Sequence, residues 1–161
     1  MGEPITVIRT PIRLEYEVPA GRQMSRFLTQ LVEGRIIGRY SPIGRVFVPP
    51  RGACPVTGEL MGDEVQVADV GTVTTFCIVN IPFEGQRVKP PYAVAAIILD
   101  GADLPIFHLI AGCPVTDVHM GLRVRAVWAP PEERTPSLTS ILHFEPSGEP
   151  DAPYDSYKEH L

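Results

Sequence analysis

The sequence predicts a mainly β protein with one N-terminal helix, a ribbon-like segment of two tight turns, and a small barrel of five curved strands. Three features support this fold class. Proline, which interrupts helices, accounts for 18 of the 161 residues. Hydrophobic residues make up 44% of the chain, enough for a globular core. After residue 58, apolar residues alternate or run in blocks of strand length, bounded by glycine and proline.

Residues 1–34 are expected to form an extended arm followed by a helix. Apolar and polar residues alternate over residues 4–18, with prolines that break any regular strand. Over residues 21–33 the apolar side chains recur at the spacing of one helix face. Gly34 follows as a C-terminal stop.

Residues 35–62 carry the turn pattern of a zinc ribbon but lack most of its ligands. A ribbon holds zinc with two C-x-x-C turns, each of which typically ends in glycine. Gly44 and Gly58 stand where those glycines belong. The four ligand positions would then be Tyr40, Ile43, Cys54 and Thr57, and only one of them is a cysteine. We therefore expect turns that keep their shape with apolar side chains filling the space, and neither zinc nor another cofactor.

Residues 63–146 are expected to form the barrel. Its first strand would run from Val65 to Val79 and bend at Gly71, because glycine permits a bulge or a sharp bend. Four further strands are bounded by turn residues and cover residues 93–99, 104–110, 122–128 and 141–145. Five curved strands within about 80 residues are typical of an OB-type barrel. The acidic segment 147–161 is expected to be a tail that orders only against a partner.

The net charge of −5 is unevenly distributed. Residues 1–51 carry eight arginines against four acids, whereas residues 52–129 carry four bases against eight acids. This distribution disfavours general nucleic-acid binding by the whole chain. It is compatible with an arginine-bearing N-terminal part that meets an acidic partner or phosphates, or with arginines that are merely solvated.

Several features of the sequence predict a cytoplasmic location. The sequence has no N-terminal apolar signal region and no run approaching the ~18–20 apolar residues of a membrane span. The three cysteines (Cys54, Cys77 and Cys113) are an odd number without the spacing of a disulfide framework. We expect free thiols in a reducing compartment.

Several short motifs follow one another in a characteristic order. After the helix and between the two turns comes Pro49-Pro50-Arg51. Later motifs are Gly71-Thr72-Val73, Pro90-Pro91-Tyr92-Ala93-Val94, Leu99-Asp100-Gly101 and Met120-Gly121-Leu122-Arg123-Val124. In this order the pattern resembles the acyl-CoA-associated zinc-ribbon/OB-fold family, over roughly residues 22–146.

The resemblance implies a helical segment, a rubredoxin-like ribbon (degenerate here) and a C-terminal OB barrel. Members of that family form complexes with thiolase-like enzymes, which include thiolases, hydroxymethylglutaryl-CoA synthase-type enzymes, acyltransferases and aldolases that shorten steroid side chains. In those complexes the catalytic residues belong to the partner. The family member is a structural and substrate-channel subunit, which would here serve steroid or lipid metabolism.

The sequence offers little support for catalysis by this chain alone. His108 and His143 each stand between apolar residues and are expected to be barrel or interface histidines. Asp100 and Asp103 could form a carboxylate pair, although Asp100-Gly101 is a common turn. No serine or cysteine lies in a pattern typical of a nucleophile.

We therefore predict a non-catalytic partner subunit that supports complex assembly and acyl-CoA access. Ile43 and Val56 would add apolar contact area, and the arginines of residues 22–51 a polar rim. The residues expected to contact the partner or acyl-CoA are Tyr40, Phe47, Pro49, Pro50, Arg51 and Tyr92. The alternative is a stand-alone OB-fold module for nucleic acid or a ligand, and a stand-alone enzyme comes third.

Overall fold

The computed structural model describes residues 6, 7, 10 and 13–161. The other residues of the predicted N-terminal arm lie outside this part of the chain. Residues 13–20 are exposed and have no regular secondary structure. No helix in the described chain combines the length and the apolar character needed to cross a bilayer.

Helix α1 spans Gly21–Val32, as the helical spacing predicts. Phe27 and Leu31 are buried on the face that packs into the protein core. Gly34 follows the C-cap of the helix, has a positive φ of 69° and donates its N–H to the Leu31 carbonyl. Glycine adopts this backbone conformation without steric cost.

A small antiparallel sheet follows the helix. It contains β1 (Ile36–Tyr40), β2 (Val46–Phe47) and β3 (Glu64–Val67), in the order β2-β1-β3. The prediction of one strand from Val65 to Val79 is therefore wrong. The first part of that segment pairs with β1, and the chain leaves the small sheet at Ala68 and Asp69 before it enters the barrel.

The rest of the chain forms the predicted five-stranded barrel. Its strands are β4 (Val70–Val79), β5 (Tyr92–Leu99), β6 (Ile106–Ile110), β7 (Arg123–Trp128) and β8 (Ile141–Pro146). They close in the order β4-β5-β6-β8-β7. The β6–β8 pair is parallel and the other pairs are antiparallel. This mixed closed barrel is of the OB type.

The barrel closes where β4 meets β7, and Gly71 lies at this seam. It pairs with Leu99 on one side and Val124 on the other. A Cβ atom on Gly71 would lie 2.4 Å from the Ile98 carbonyl oxygen. We predicted that this glycine lets a strand bend. The structure shows a different reason, namely the close approach of the β5 backbone.

Arg123 ties several elements together beside the seam. Its guanidinium donates two hydrogen bonds to the Asp100 carboxylate, at 2.7 and 2.6 Å. It also donates to Thr72 Oγ1 on β4 and to Glu149 beyond β8. These hydrogen bonds to Asp100, together with that to Glu149, raise the pKa of Arg123 despite its partial burial. The Arg123 guanidinium therefore links β7, on which it stands, to β4, to the turn at Asp100 and to the C-terminal segment.

The C-terminal segment 147–161 packs on the barrel. The N–H of Ala152 donates to the Gly121 carbonyl at 2.9 Å, and Tyr157 is buried beside Gly121. The prediction that this segment orders only against a partner is wrong, because its contacts are made with the chain's own barrel.

The helix, the small sheet and the barrel share one hydrophobic core. Phe27 of α1, Ile36 of β1, Val73 of β4 and Phe144 of β8 all belong to it. A second, smaller cluster lies under the two turns and contains Phe47, Cys54 and Met61, with Leu104 packed against it. The ribbon-like segment therefore has its own apolar centre.

Gly71→Ala is expected to destabilise the protein by about 1–3 kcal/mol, since the added methyl group meets backbone that cannot move without opening the seam. Urea unfolding of the purified chain measures this change. Gly52→Ala is the matched control, because a Cβ there meets nothing within 4 Å. Equal stability of Gly71→Ala and the wild type would contradict the role of the close approach.

Candidate functional site

The two turns of the ribbon-like segment have defined backbone conformations. In the first, the N–H of Gly44 donates to the Ser41 carbonyl at 2.9 Å, and the N–H of Ser41 donates to the Arg45 carbonyl at 2.6 Å. In the second, the N–H of Gly58 donates to the Cys54 carbonyl at 2.8 Å. Both glycines have a positive φ, 79° for Gly44 and 75° for Gly58. These hydrogen bonds fix the loops that carry the predicted contact residues.

The donor set at the four ligand positions expected from the sequence does not fit zinc. Cys54 is buried, and the N–H of Thr57 donates to its sulfur, which lowers the pKa of the thiol. Tyr40 and Ile43 are partly exposed and offer no thiolate. A tetrahedral ribbon site needs four soft ligands, and one cysteine cannot supply them. Among the described residues, no three His, Cys, Asp or Glu side chains group as a metal site requires.

The surface of these turns exposes large apolar side chains. Val56 is 72% exposed and Leu60 is 83% exposed, and Tyr40 and Ile43 are each 45% exposed. We call these four residues the apolar turn surface. Leu60 was missed by the sequence reasoning, although its position two residues after the second turn was a usable signal. An exposed apolar group on rigid turns is typical of an interaction site.

Phe47 does not belong to that surface, contrary to the prediction. It is only 3% exposed and packs with Cys54 and Met61 beneath the turns. The strand pattern of β2 could not show this, because the partners that cover Phe47 lie later in the chain. Phe47 therefore supports the turns from inside and is not available to a partner.

Pro49, Pro50 and Arg51 line a groove between α1 and the loop before β6. The groove has a volume of about 530 Å³, and its other walls include Met24 and Leu104. Pro50 is buried and Arg51 is exposed. A neighbouring hollow of about 450 Å³ shares Met24, Pro50 and Arg51, and continues past the start of α1. We call the two hollows together the proline groove.

Tyr92 does not lie among the residues that line this groove. It is half-buried at the start of β5, where its hydroxyl accepts a hydrogen bond from Gln86 Nε2 at 3.2 Å. The structure thus brings Pro49, Pro50 and Arg51 together and leaves Tyr92 at a separate place on the barrel.

A cationic hollow of about 400 Å³ lies beside the proline groove, and we call it the arginine pocket. It is lined by Arg22, Gln23, Arg26, Arg39 and Glu64. Arg26 donates two hydrogen bonds to the Glu64 carboxylate, both at 3.2 Å, which raise the pKa of Arg26. The sequence indicated an arginine-rich region but not this convergence. A usable signal was the i, i+4 spacing of Arg22 and Arg26 on a helix.

The residues considered for catalysis make structural contacts. Asp100 binds Arg123, and the Asp103 carboxylate accepts the N–H of Val46 at 2.6 Å. His108 is half-buried and packs edge-on against Phe144, with ring centroids 5.6 Å apart. Burial lowers the pKa of His108 and so favours its neutral form. Each group has a local role in the fold.

The described barrel surface lacks a typical platform for single-stranded nucleic acid. Arg125 pairs with Glu145 at 2.8 Å, and Arg123 is held by two carboxylates. Trp128 donates its Nε1–H to Asp69 and lies under the Arg134 guanidinium. Its indole and these arginines are therefore already engaged, whereas such platforms present free aromatic faces beside unpaired cations.

Comparisons with known proteins agree with this architecture. The family model described as "ChsH2, C-terminal OB-fold domain" matches residues 64–129. A "DUF35 domain-containing scaffold protein" from Methanocaldococcus jannaschii is 31% identical over 87 residues, which is 53% of this chain. The match spans 60% of that relative's length.

Two solved structures share the fold. The structure of an "Ltp2-ChsH2(DUF35) aldolase" has a TM-score of 0.62 at 20% identity, covering 81% of this chain and 99% of that chain. A DUF35 protein of unknown function from Sulfolobus solfataricus has a TM-score of 0.60 at 20% identity, covering 79% and 87%. At this identity the likeness concerns the fold alone. The barrel sequence at residues 64–129 is therefore similar to the ChsH2 C-terminal OB-fold domain, and the two solved structures share the architecture of the chain.

Proposed function

We propose that the chain is a non-catalytic partner subunit of a thiolase-like acyl-CoA enzyme, of the thiolase, acyltransferase or steroid side-chain aldolase type. The observation that carries this proposal is the apolar turn surface, held on rigid turns without a covering element in the described chain. Two relatives support it, because one is named a scaffold protein and the other is named as part of an aldolase.

The apolar turn surface suits protein docking on energetic grounds. Fully burying one large aliphatic side chain contributes about 1.5–3 kcal/mol. Because hydrogen bonds already fix the turns, little conformational entropy is lost when a partner covers them. Arg45 and Arg51 are exposed nearby in the chain and would form part of a polar rim. Few side chains can therefore supply most of the binding energy.

The proline groove supports a role in acyl-CoA access. Its walls include the apolar side chains of Met24, Pro50 and Leu104, and Arg51 adds a cation. A thioester of coenzyme A combines a long, mostly neutral arm with phosphates, so it needs both kinds of surface. The catalytic groups would come from the partner enzyme, because the candidate residues of this chain are engaged in structural contacts.

Replacement of Ile43 and Leu60 by aspartate is expected to abolish stable co-purification with a thiolase-like enzyme that binds the wild-type chain. Each aspartate puts a charge where an apolar contact is proposed, and affinity should fall at least about 100-fold. Quantitative pull-down after co-expression measures the effect. Phe107→Asp is the control, since it changes an apolar residue on β6, outside the turns, whose 73% exposure lies between that of Ile43 and that of Leu60. Unchanged co-purification of the double variant would refute docking by this surface.

The same preparation separates docking from the alternative OB-fold function. The chain purified alone should not shift single-stranded DNA at physiological salt, because the arginines of β7 are already paired with carboxylates. A clear shift, together with failure to bind any thiolase-like enzyme, would favour the nucleic-acid module.

We also propose that the ribbon-like segment is stable without zinc, because the cluster of Phe47, Cys54 and Met61 fills the place of metal cross-linking. Elemental analysis should find far less than one zinc per chain, and a chelator should leave the thermal unfolding midpoint unchanged. A classical zinc ribbon, in contrast, depends on its metal to fold. One tightly held zinc per chain would overturn this interpretation.

A further inference from the structure

We propose that the arginine pocket is a phosphate-binding subsite, which holds the phosphorylated nucleotide end of an acyl-CoA whose neutral arm lies in the proline groove. This inference rests on the proposed function and adds the subsite and its residues. It is carried by the charge of the pocket, by one unpaired buried donor, and by the continuity of the two hollows.

The charge of the arginine pocket is not balanced within the described chain. Three arginines, Arg22, Arg26 and Arg39, face one carboxylate, that of Glu64. Arg26 occupies both oxygens of Glu64. Neither Arg22 nor Arg39 forms a salt bridge with a described residue. Two guanidinium groups therefore remain available to an anion with more than one negative charge.

Arg39 gives the most specific evidence for an anion in the arginine pocket. It lies on β1 opposite Glu64 of β3, so both side chains are at the same point of the small sheet. Its Nε–H is buried and is the one buried side-chain donor in the described chain without a hydrogen-bond partner. Native proteins rarely leave such a group unpaired, and a small rotation of the Arg39 guanidinium toward the pocket would let a phosphate oxygen accept this N–H.

The start of α1 reinforces the positive potential. Its N-cap residue, Ala20, makes no side-chain cap, and the first turn contains no acidic residue. The first N–H groups of the helix therefore lack the acceptors that usually compensate them. Arg22 stands on this turn, and an anion beside it also benefits from the helix dipole.

The pocket leads directly into the proline groove. Arg22 and Gln23 line both the arginine pocket and the hollow at the start of α1. That hollow in turn shares Met24 and Pro50 with the part that reaches Leu104. The surface thus changes from cationic to apolar along one path, which matches a molecule with phosphates at one end and a neutral arm at the other.

Binding of coenzyme A, adenosine 3′,5′-bisphosphate and pantetheine to the full chain tests the proposal. Isothermal titration is performed at low salt, with the chain alone and with its complex. Coenzyme A and the bisphosphate should bind, whereas pantetheine, which lacks these phosphates, should bind much more weakly. Arg22→Ala and Arg39→Ala should each weaken coenzyme A about tenfold to a hundredfold.

Glu64→Gln should have the opposite effect and tighten binding, because it removes the one negative charge of the pocket. Arg35→Ala is the matched control, since Arg35 is an exposed arginine outside the pocket. Arg22 is exposed at the helix start, so its variant remains informative if Arg39→Ala fails to fold.

The outcomes separate this inference from the proposed function. The subsite would be refuted if the wild type, Arg22→Ala and Arg39→Ala bound coenzyme A equally, or if neither preparation bound it. An intact complex in that case would leave the docking role supported. Loss of the complex in the arginine variants, without any effect on coenzyme A, would instead assign the pocket to an acidic segment of the partner and refute the phosphate subsite. Tight bisphosphate binding by a chain that forms no complex would support the subsite and contradict the docking role.

Discussion

Closure of the barrel between β4 and β7 is the constraint on which the other features depend. At this seam Gly71 lets the β5 backbone approach to a distance that a side chain would block. Beside it, the Arg123 fork binds β4, the turn at Asp100 and the C-terminal segment. Short closing strands provide few backbone hydrogen bonds, so a charged side-chain network at this point has a large effect on the register of the whole barrel.

The closed barrel positions the apolar turn surface and the proline groove through a small number of contacts. Asp103, in the loop between β5 and β6, accepts the N–H of Val46 and donates its own N–H to the Val46 carbonyl. This pair of hydrogen bonds anchors β2, and with it both turns, to the barrel. The shared core of Phe27 and Phe144 then holds α1 beside them. The proline groove and the arginine pocket exist because these elements meet there.

The two turns of the ribbon-like segment are defined by backbone hydrogen bonds and apolar packing. Backbone hydrogen bonds at Gly44 and Gly58 define the turns, and Phe47 fills their base. The backbone N–H of Thr57 lies beside the buried Cys54 thiol and lowers its pKa. Apolar packing lies beneath the turns, and the large apolar side chains of the apolar turn surface lie on the outside.

Local signals in the amino-acid sequence are sufficient to predict most of the elements. The 3.6-residue spacing predicts α1, alternation and turn residues predict the barrel strands, and the glycines predict the turns at residues 44 and 58. Long-range packing, in contrast, determines that β3 pairs with β1, that Phe47 points inward and that the C-terminal segment packs on the barrel. It also determines that Arg22, Arg26 and Arg39 converge on Glu64. The elements could be predicted because backbone preference and periodicity act over a few residues. The burial of a side chain and the convergence of charges depend instead on contacts between segments far apart in the chain, which local patterns do not encode.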